Sequence, residues 1–256
     1  MRMRASWLKF PMAALASVMI VASMSAVARA AEVKVAVAAN FTEPVKEIGA
    51  LFEKATGHKP VFSFGPTGGL YNQVTQAAPF EVFLSADDKT PAKAIKEGHG
   101  VAGTSYTYAT GKLVLYSKTE GQKLGEQALK DGKFAKIAIA NLKTAPYGTA
   151  AVETMQKLGV YDALKGKIVE GNNIAQTFQF VDTGNAEVGF VAYSQVALKS
   201  GGSRWVVPAK LHNTIAQDAV LLKTGANNEA AKAFLAFLKG PEARKIIEKY
   251  GYGFVD

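Results

Sequence analysis

The sequence predicts an α/β fold of parallel strands joined by crossover helices, and three observations carry that prediction. Short β-prone runs alternate with stretches of helical period in a βαβα rhythm. Glycine and proline mark the joints between them, most plainly in Phe64-Gly65-Pro66-Thr67-Gly68-Gly69-Leu70. Cysteine is absent and the composition is that of an ordinary globular chain, 48% hydrophobic and 20% charged, so no disulfide or thiolate metal site shapes the fold.

The chain begins with what reads as a secretory leader: Arg2, Arg4 and Lys9, an apolar stretch from about Pro11 to Val27, then Ala28-Arg29-Ala30. Pro11, Ser17, Ser23 and Ser25 interrupt that stretch, which favours a cleaved signal peptide over residues 1–30 against a membrane anchor. Removing Arg2, Arg4, Lys9 and Arg29 lowers the formal charge from +9 to +5. With no dense Lys/Arg block interleaved with aromatics, an exported chain of this charge is not expected to bind nucleic acid.

Val33 to Ala39 reads as the first strand, and Asn40-Phe41-Thr42-Glu43-Pro44 opens a helix with Val45, Ile48, Leu51 and Phe52 on its apolar face. Thr42 is the expected N-cap, which leaves Asn40 at the strand's carboxyl end with its amide free to donate. Gly57 ends the helix, Pro60 to Phe64 forms the second strand, and Thr67 opens the next helix. Ala78 to Asp87 gives a buried strand ending in acid, followed by a short helix from Pro91 to Glu97. Thr110 to Tyr116 reads as one strand, and Ile137 to Ala140 starts a second βα series. In that series Ala145-Pro146-Tyr147 leads into a helix stopped by Gly159, and Gly171-Asn172-Asn173-Ile174 into one stopped by Gly184. Val188 to Tyr193 is a further buried strand, and Ala219 to Leu222 one that returns to the first half; helices over Glu229–Leu238 and Glu242–Lys249 close the chain.

The chemistry suggested by these joints is anion binding. A strand-to-helix turn presents first-turn N–H groups and the positive end of a helix dipole, and a bare glycine lets a ligand approach. One such turn is commonplace in α/β proteins with nothing bound; here each half has two. An enzyme is the first alternative, but His58, His99 and His212 are isolated, and no nucleophile elbow or zinc spacing occurs. Asp87 and Asp88 are adjacent, suited to capping the next turn rather than to paired acid–base work. An organic-acid site would call for an Arg clamp, and the only basic residue near these turns is Lys143, read as a loop charge.

Taken together, Val35 to Asn40, Phe64 to Leu70, Ala78 to Asp87, Pro146-Tyr147-Gly148, Leu158 to Asp162, Val188 to Val191 and Leu238 to Ala243 resemble the periplasmic molybdate-binding proteins of bacterial ABC importers, over essentially the whole exported chain. The resemblance implies a two-lobed periplasmic-binding-protein fold of type II, each lobe a mostly parallel sheet flanked by helices. Residues 31–110 with 218–256 are expected to form lobe 1 and residues 111–217 lobe 2. It further implies a tetrahedral oxyanion held by neutral donors from Asn40, Thr67, Tyr147 and Ile174. Ile174 would act through its N–H and Tyr147 through its N–H or its phenol, with Ala39 and Gly68 as backbone helpers. Some members place a tyrosine ligand where Ala192 falls here, with Tyr193 one residue beyond. The ligand implied is molybdate or tungstate, with sulfate or phosphate as the alternative oxyanions and no cofactor. The implied partners are a membrane permease and its cytoplasmic ATPase, and the receptor itself is expected to be a monomer.

Overall fold

The computed structural model describes residues 30–255, so the leader read over residues 1–30 lies outside the described residues except for Ala30. The first sheet is assembled from β1 (Glu32–Ala38), β2 (Lys59–Gly65), β3 (Val82–Leu84), β4 (Tyr106–Gly111) and a late strand, Ile215–Leu221. The second contains β5 (Leu113–Ser117), β6 (Ile137–Ala140), β7 (Ile168–Gly171), β8 (Val188–Ala192) and β9 (Ser203–Val206); the late strand is then β10.

The two sheets have one plan. The first runs β2-β1-β3-β10-β4 and the second β7-β6-β8-β5-β9. In each, a central strand (β1 or β6) has parallel neighbours on both sides, and an antiparallel strand (β10 or β5) sits next to the edge. The antiparallel strand of the first sheet comes from the far end of the chain, while that of the second comes directly after β4. The chain therefore crosses between sheets between Gly111 and Leu113 and again between Val206 and Ile215.

Helices cover both faces of each sheet. In the first sheet β1 leads into α1 (Thr42–Thr56), β2 into α2 (Thr67–Thr75) and β3 into α3 (Lys89–Lys96). In the second lie α4 (Glu126–Asp131), α5 (Pro146–Lys157), α6 (Tyr161–Leu164) and α7 (Ile174–Asp182), and α8 (Glu229–Leu238) and α9 (Pro241–Lys249) return to the first. Strand alternation divides each core in two. Val33, Val35 and Val37 of β1 pack against Ile48, Phe52, Phe234 and Ile247, whereas Ala36 meets Leu70, Tyr71 and Phe83 on the other face. Leu113, Leu115, Ile137 and Ile139 likewise join Ala151 and Met155, opposite Val114, Ala138 and Val181.

Several expectations need correction. The run from Thr110 to Tyr116 is two strands in different sheets, because the chain changes lobe at Gly111-Lys112 while its β-prone character continues. Thr42 does not cap α1; a short 3-10 turn over Ala39–Phe41 already starts the helical path, and the Thr42 hydroxyl donates to Ala39 O at 2.9 Å. Leu51 stays exposed on α1, whose buried face is Val45, Ile48 and Phe52. The capping role of Asp87 holds: its carboxylate accepts from Thr90 N at 2.8 Å and Thr90 Oγ1 at 3.0 Å.

Candidate oxyanion site

Four segments converge where the carboxyl ends of the strands of the two sheets face each other. One small cavity, about 10 Å³, is lined by Ala39, Asn40, Thr67, Tyr147 and Ile174 together with the residues just before each helix start. Among the described residues no charged side chain lines it. A space of that size has no room for an organic solute. A wider cleft of about 220 Å³ opens beside it through Thr67, Ala86, Ala145 and Pro146, with Lys143 on its wall.

Three of the four helix starts at the cavity lack a side-chain cap, as do α1, α3, α4, α6 and α9 elsewhere. The residues that precede the first turns at Ala39, Thr67 and Pro146 are Ala38, Pro66 and Ala145, and none gives a side-chain cap; only Asn173, before α7, accepts from Gln176 N, at 3.0 Å. First-turn N–H groups have no partner within their own helix, so a start without a cap leaves donors for another acceptor. All four starts line one cavity without a charged side chain, and three of them keep that capacity.

The individual side chains divide the expected roles. Thr67, almost fully buried, accepts Ala86 N–H on its Oγ1 at 3.0 Å, which leaves the hydroxyl proton able to donate. Asn40 does not keep its amide free, contrary to expectation. Asn40 Nδ2 donates to Gln217 Oε1 at 2.7 Å and to Tyr252 OH at 2.9 Å, so both amide protons are engaged behind the cavity. The Tyr147 phenol is engaged as well and accepts from Gln217 Nε2 at 3.2 Å. Burial pushes the Tyr147, Tyr108 and Tyr252 phenols well up from the ordinary tyrosine value, and all three remain protonated at neutral pH. Ile174 is the first residue of α7, and its carbonyl accepts from Gln195 Nε2 at 3.0 Å, which ties that helix to the end of β8.

Two further candidates lie elsewhere. Gly68 directs its N–H across the cleft to Thr144 O at 2.9 Å, and a Cβ at Gly68 would stand 3.1 Å from Thr144 Cα. Its bareness thus serves the approach of the two walls. Tyr193 is absent from the cavity wall; its N–H donates to Lys112 O at 2.9 Å and its ring lies against Gly251, where a side chain would collide with it. Gln217, Tyr252, Tyr108 and Ser194 were not anticipated. They are scattered single residues with no local signal, and only the closed sheets bring them to Asn40.

Two α/β lobes facing each other across a cavity of neutral donors define a solute-binding protein. The profile of the family described as bacterial extracellular solute-binding protein matches residues 33–253, and the chain belongs to that family. The molybdate-binding protein ModA of Rhodobacter capsulatus is 57% identical over 91% of this chain and 92% of that protein; ModA of Azotobacter vinelandii is 56% identical over 90% and 93%. The solved structure of the Azotobacter vinelandii periplasmic molybdate-binding protein superposes with a TM-score of 0.84 at 38% identity, covering 88% of this chain and 100% of that one.

Proposed function

We propose that this chain is the periplasmic receptor of a bacterial ABC importer that captures molybdate, and tungstate with it, between its two lobes. It is a transport receptor and not an enzyme, and the ligand is cargo. The observation that carries the reading is the meeting of four helix starts, three of them without a side-chain cap, on one small cavity with no charged side chain. The similarity to ModA proteins over nine-tenths of the chain supports molybdate as the oxyanion.

In this reading the anion accepts the Thr67 hydroxyl and N–H and the N–H groups of Asn40, Tyr147 and Ile174, with Ala39 contributing through its backbone. The amide of Asn40 and the phenol of Tyr147 brace those donors from behind. Micromolar capture needs about 8 kcal/mol, and hydrogen bonds to a charged group contribute about 1.5–3 kcal/mol each, so five donors suffice. Fixed neutral donors reward one radius and shape, which explains why molybdate and tungstate would be separated poorly and the smaller sulfate rejected. Lobe 1 is assigned to residues 31–110 and 218–256 and lobe 2 to residues 111–217; the two sheet crossings support such a division, although Gly111 still belongs to β4 and Ile215 to Gln217 already belong to β10 in the first sheet. The leader is removed after Ala30, and the loaded monomer is read by the permease and its ATPase.

The test is calorimetric titration of the mature, ligand-stripped protein with molybdate, tungstate, sulfate and phosphate. Tight binding of the first two alone is the expected result. Binding of sulfate or phosphate instead would overturn the ligand, and heat from none of the four would overturn the oxyanion site.

A further inference from the structure

Against the side chains of Asn40 and Tyr147 lies a polar cluster out of contact with solvent. Gln217 is at its centre, on β10 where the register against β4 shifts, and is fully buried. Its Oε1 accepts from Asn40 Nδ2 at 2.7 Å and from Tyr108 OH at 3.1 Å, and its Nε2 donates to Tyr147 OH at 3.2 Å. Asn40 and Tyr147 are counterparts: each follows the central strand of its sheet and lines the cavity from its own side. A single carboxamide thus joins the side chains of the two residues whose main chains face the cavity from opposite lobes. Space for that junction exists because Gly111, at the first crossing between sheets, has no Cβ to strike the Tyr147 hydroxyl and Gln217 Nε2.

We infer that Gln217 is a positioning residue for anion capture, which sets the separation of the Asn40 and Tyr147 backbone donors across the cleft and thereby the radius of oxyanion accepted. The inference rests on the oxyanion reading of the cavity. A carboxamide suits the task because it accepts at one end and donates at the other, in a direction fixed by its plane. Hydrogen bonds weaken steeply with misalignment, so a shift of one lobe against the other of about an ångström would break the Gln217–Tyr147 link. Closure and donor spacing in this way meet at a residue that does not line the cavity, beside the direct links Ser194 Oγ to Asn40 O and Gly68 N to Thr144 O. A buried carboxamide could instead serve only to satisfy its polar neighbours, and the two roles differ in what they do to selectivity.

The experiment compares wild type, Tyr147→Phe, Gln217→Leu and the double variant as mature, ligand-stripped proteins. Each is titrated with molybdate and with sulfate at fixed ionic strength and melted without ligand. Tyr147→Phe keeps the backbone donor and removes only the link; it should lose roughly 3- to 10-fold in molybdate affinity and narrow the molybdate-over-sulfate ratio. Gln217→Leu should lose at least as much, and the double variant no more than Gln217→Leu, since the link lost in Tyr147→Phe is one of the three hydrogen bonds that Gln217→Leu already removes. A lower melting temperature with an unchanged affinity ratio, or losses that add in the double variant, would overturn the inference. If Gln217→Leu does not fold, Tyr147→Phe decides it by the affinity ratio. Wild type that binds neither anion would overturn the oxyanion reading and the inference with it, whereas wild type that binds molybdate and a matching Tyr147→Phe would overturn the inference alone.

Discussion

The two lobes repeat one sheet plan, yet they use its equivalent positions differently. After the central strands stand Asn40 and Tyr147, polar residues whose side chains meet through Gln217 beside Gly111, at the crossing between the sheets that forms the hinge. After the neighbouring strands β2 and β7 stand Thr67 and Ile174, of which one contributes a hydroxyl and the other has only an apolar side chain to pack. The inner pair therefore couples the lobes, and the outer pair completes the cavity. The same turn geometry can serve a ligand through its backbone while the side chain is released for other work. That division is possible because donation by N–H requires nothing of the side chain.

The most severe way to break this arrangement is to move the inner turn of lobe 2. Gly148 lies so close to Ala140 O and Asn141 O that any Cβ there must displace the start of α5 and Tyr147 with it. Gly148→Ala is expected to cost about 3 kcal/mol of stability, a melting temperature lower by roughly 6–12 °C, with molybdate affinity down more than about tenfold. Unchanged melting and binding would show that the turn tolerates movement. The outer pair is probed by Thr67→Ala, which removes the proposed donor to the ion and the acceptor of Ala86 N–H. Calorimetry should show affinity weaker by about 1–3 kcal/mol, restored by Thr67→Ser. Equal affinity in all three proteins would remove Thr67 from the site.

The hinge cluster should declare itself at high pH. Burial raises the Tyr108, Tyr147 and Tyr252 phenols in the folded protein, so their contribution to stability is complete below the unfolded tyrosine value of about 10. It is lost as pH rises from there towards the folded values, because the unfolded chain releases protons that the folded one keeps. Melting temperature measured from pH 8 to 11.5 should be steady and then fall above about pH 10, less steeply in Tyr147→Phe. The mildest effect is expected from Ala145→Ser, which supplies the cap that α5 lacks. The ligand-free protein should gain about 1 kcal/mol, or 2–4 °C, while molybdate affinity falls severalfold as the serine competes for the Tyr147 N–H. A gain in both would mean that the missing cap is unrelated to binding.

Most of the fold was legible because it is written locally. Valine runs, helical periodicity and the stops at Gly57, Gly159 and Gly184, all with positive φ, gave the elements and their order. The four cavity-lining turns were legible for the same reason, since a strand, a Gly- or Pro-bearing joint and a helix lie within about ten residues. What failed was what depends on the partner. Thr110 to Tyr116 has the pattern of one strand, and nothing within it states that its two halves pair with β10 in one sheet and with β8 and β9 in another. Ser203–Val206 has no buried apolar run such as Ile137–Ala140 shows, so it does not announce itself, yet it forms an edge of the second sheet.

By itself, then, the sequence determined the α/β class, the elements that alternate along it, and where the four strand-to-helix turns fall, because each of these follows from neighbours a few residues apart. Tertiary structure alone decided that the Asn40 amide is engaged, that the Tyr147 phenol faces the hinge, that Gly68 bridges the walls, and that Gln217 joins both lobes. The physical reason is directional: a polar side chain's partner is fixed by where its donors point after the sheets close. Residues 177 and 212 positions away from Asn40 supply its two acceptors.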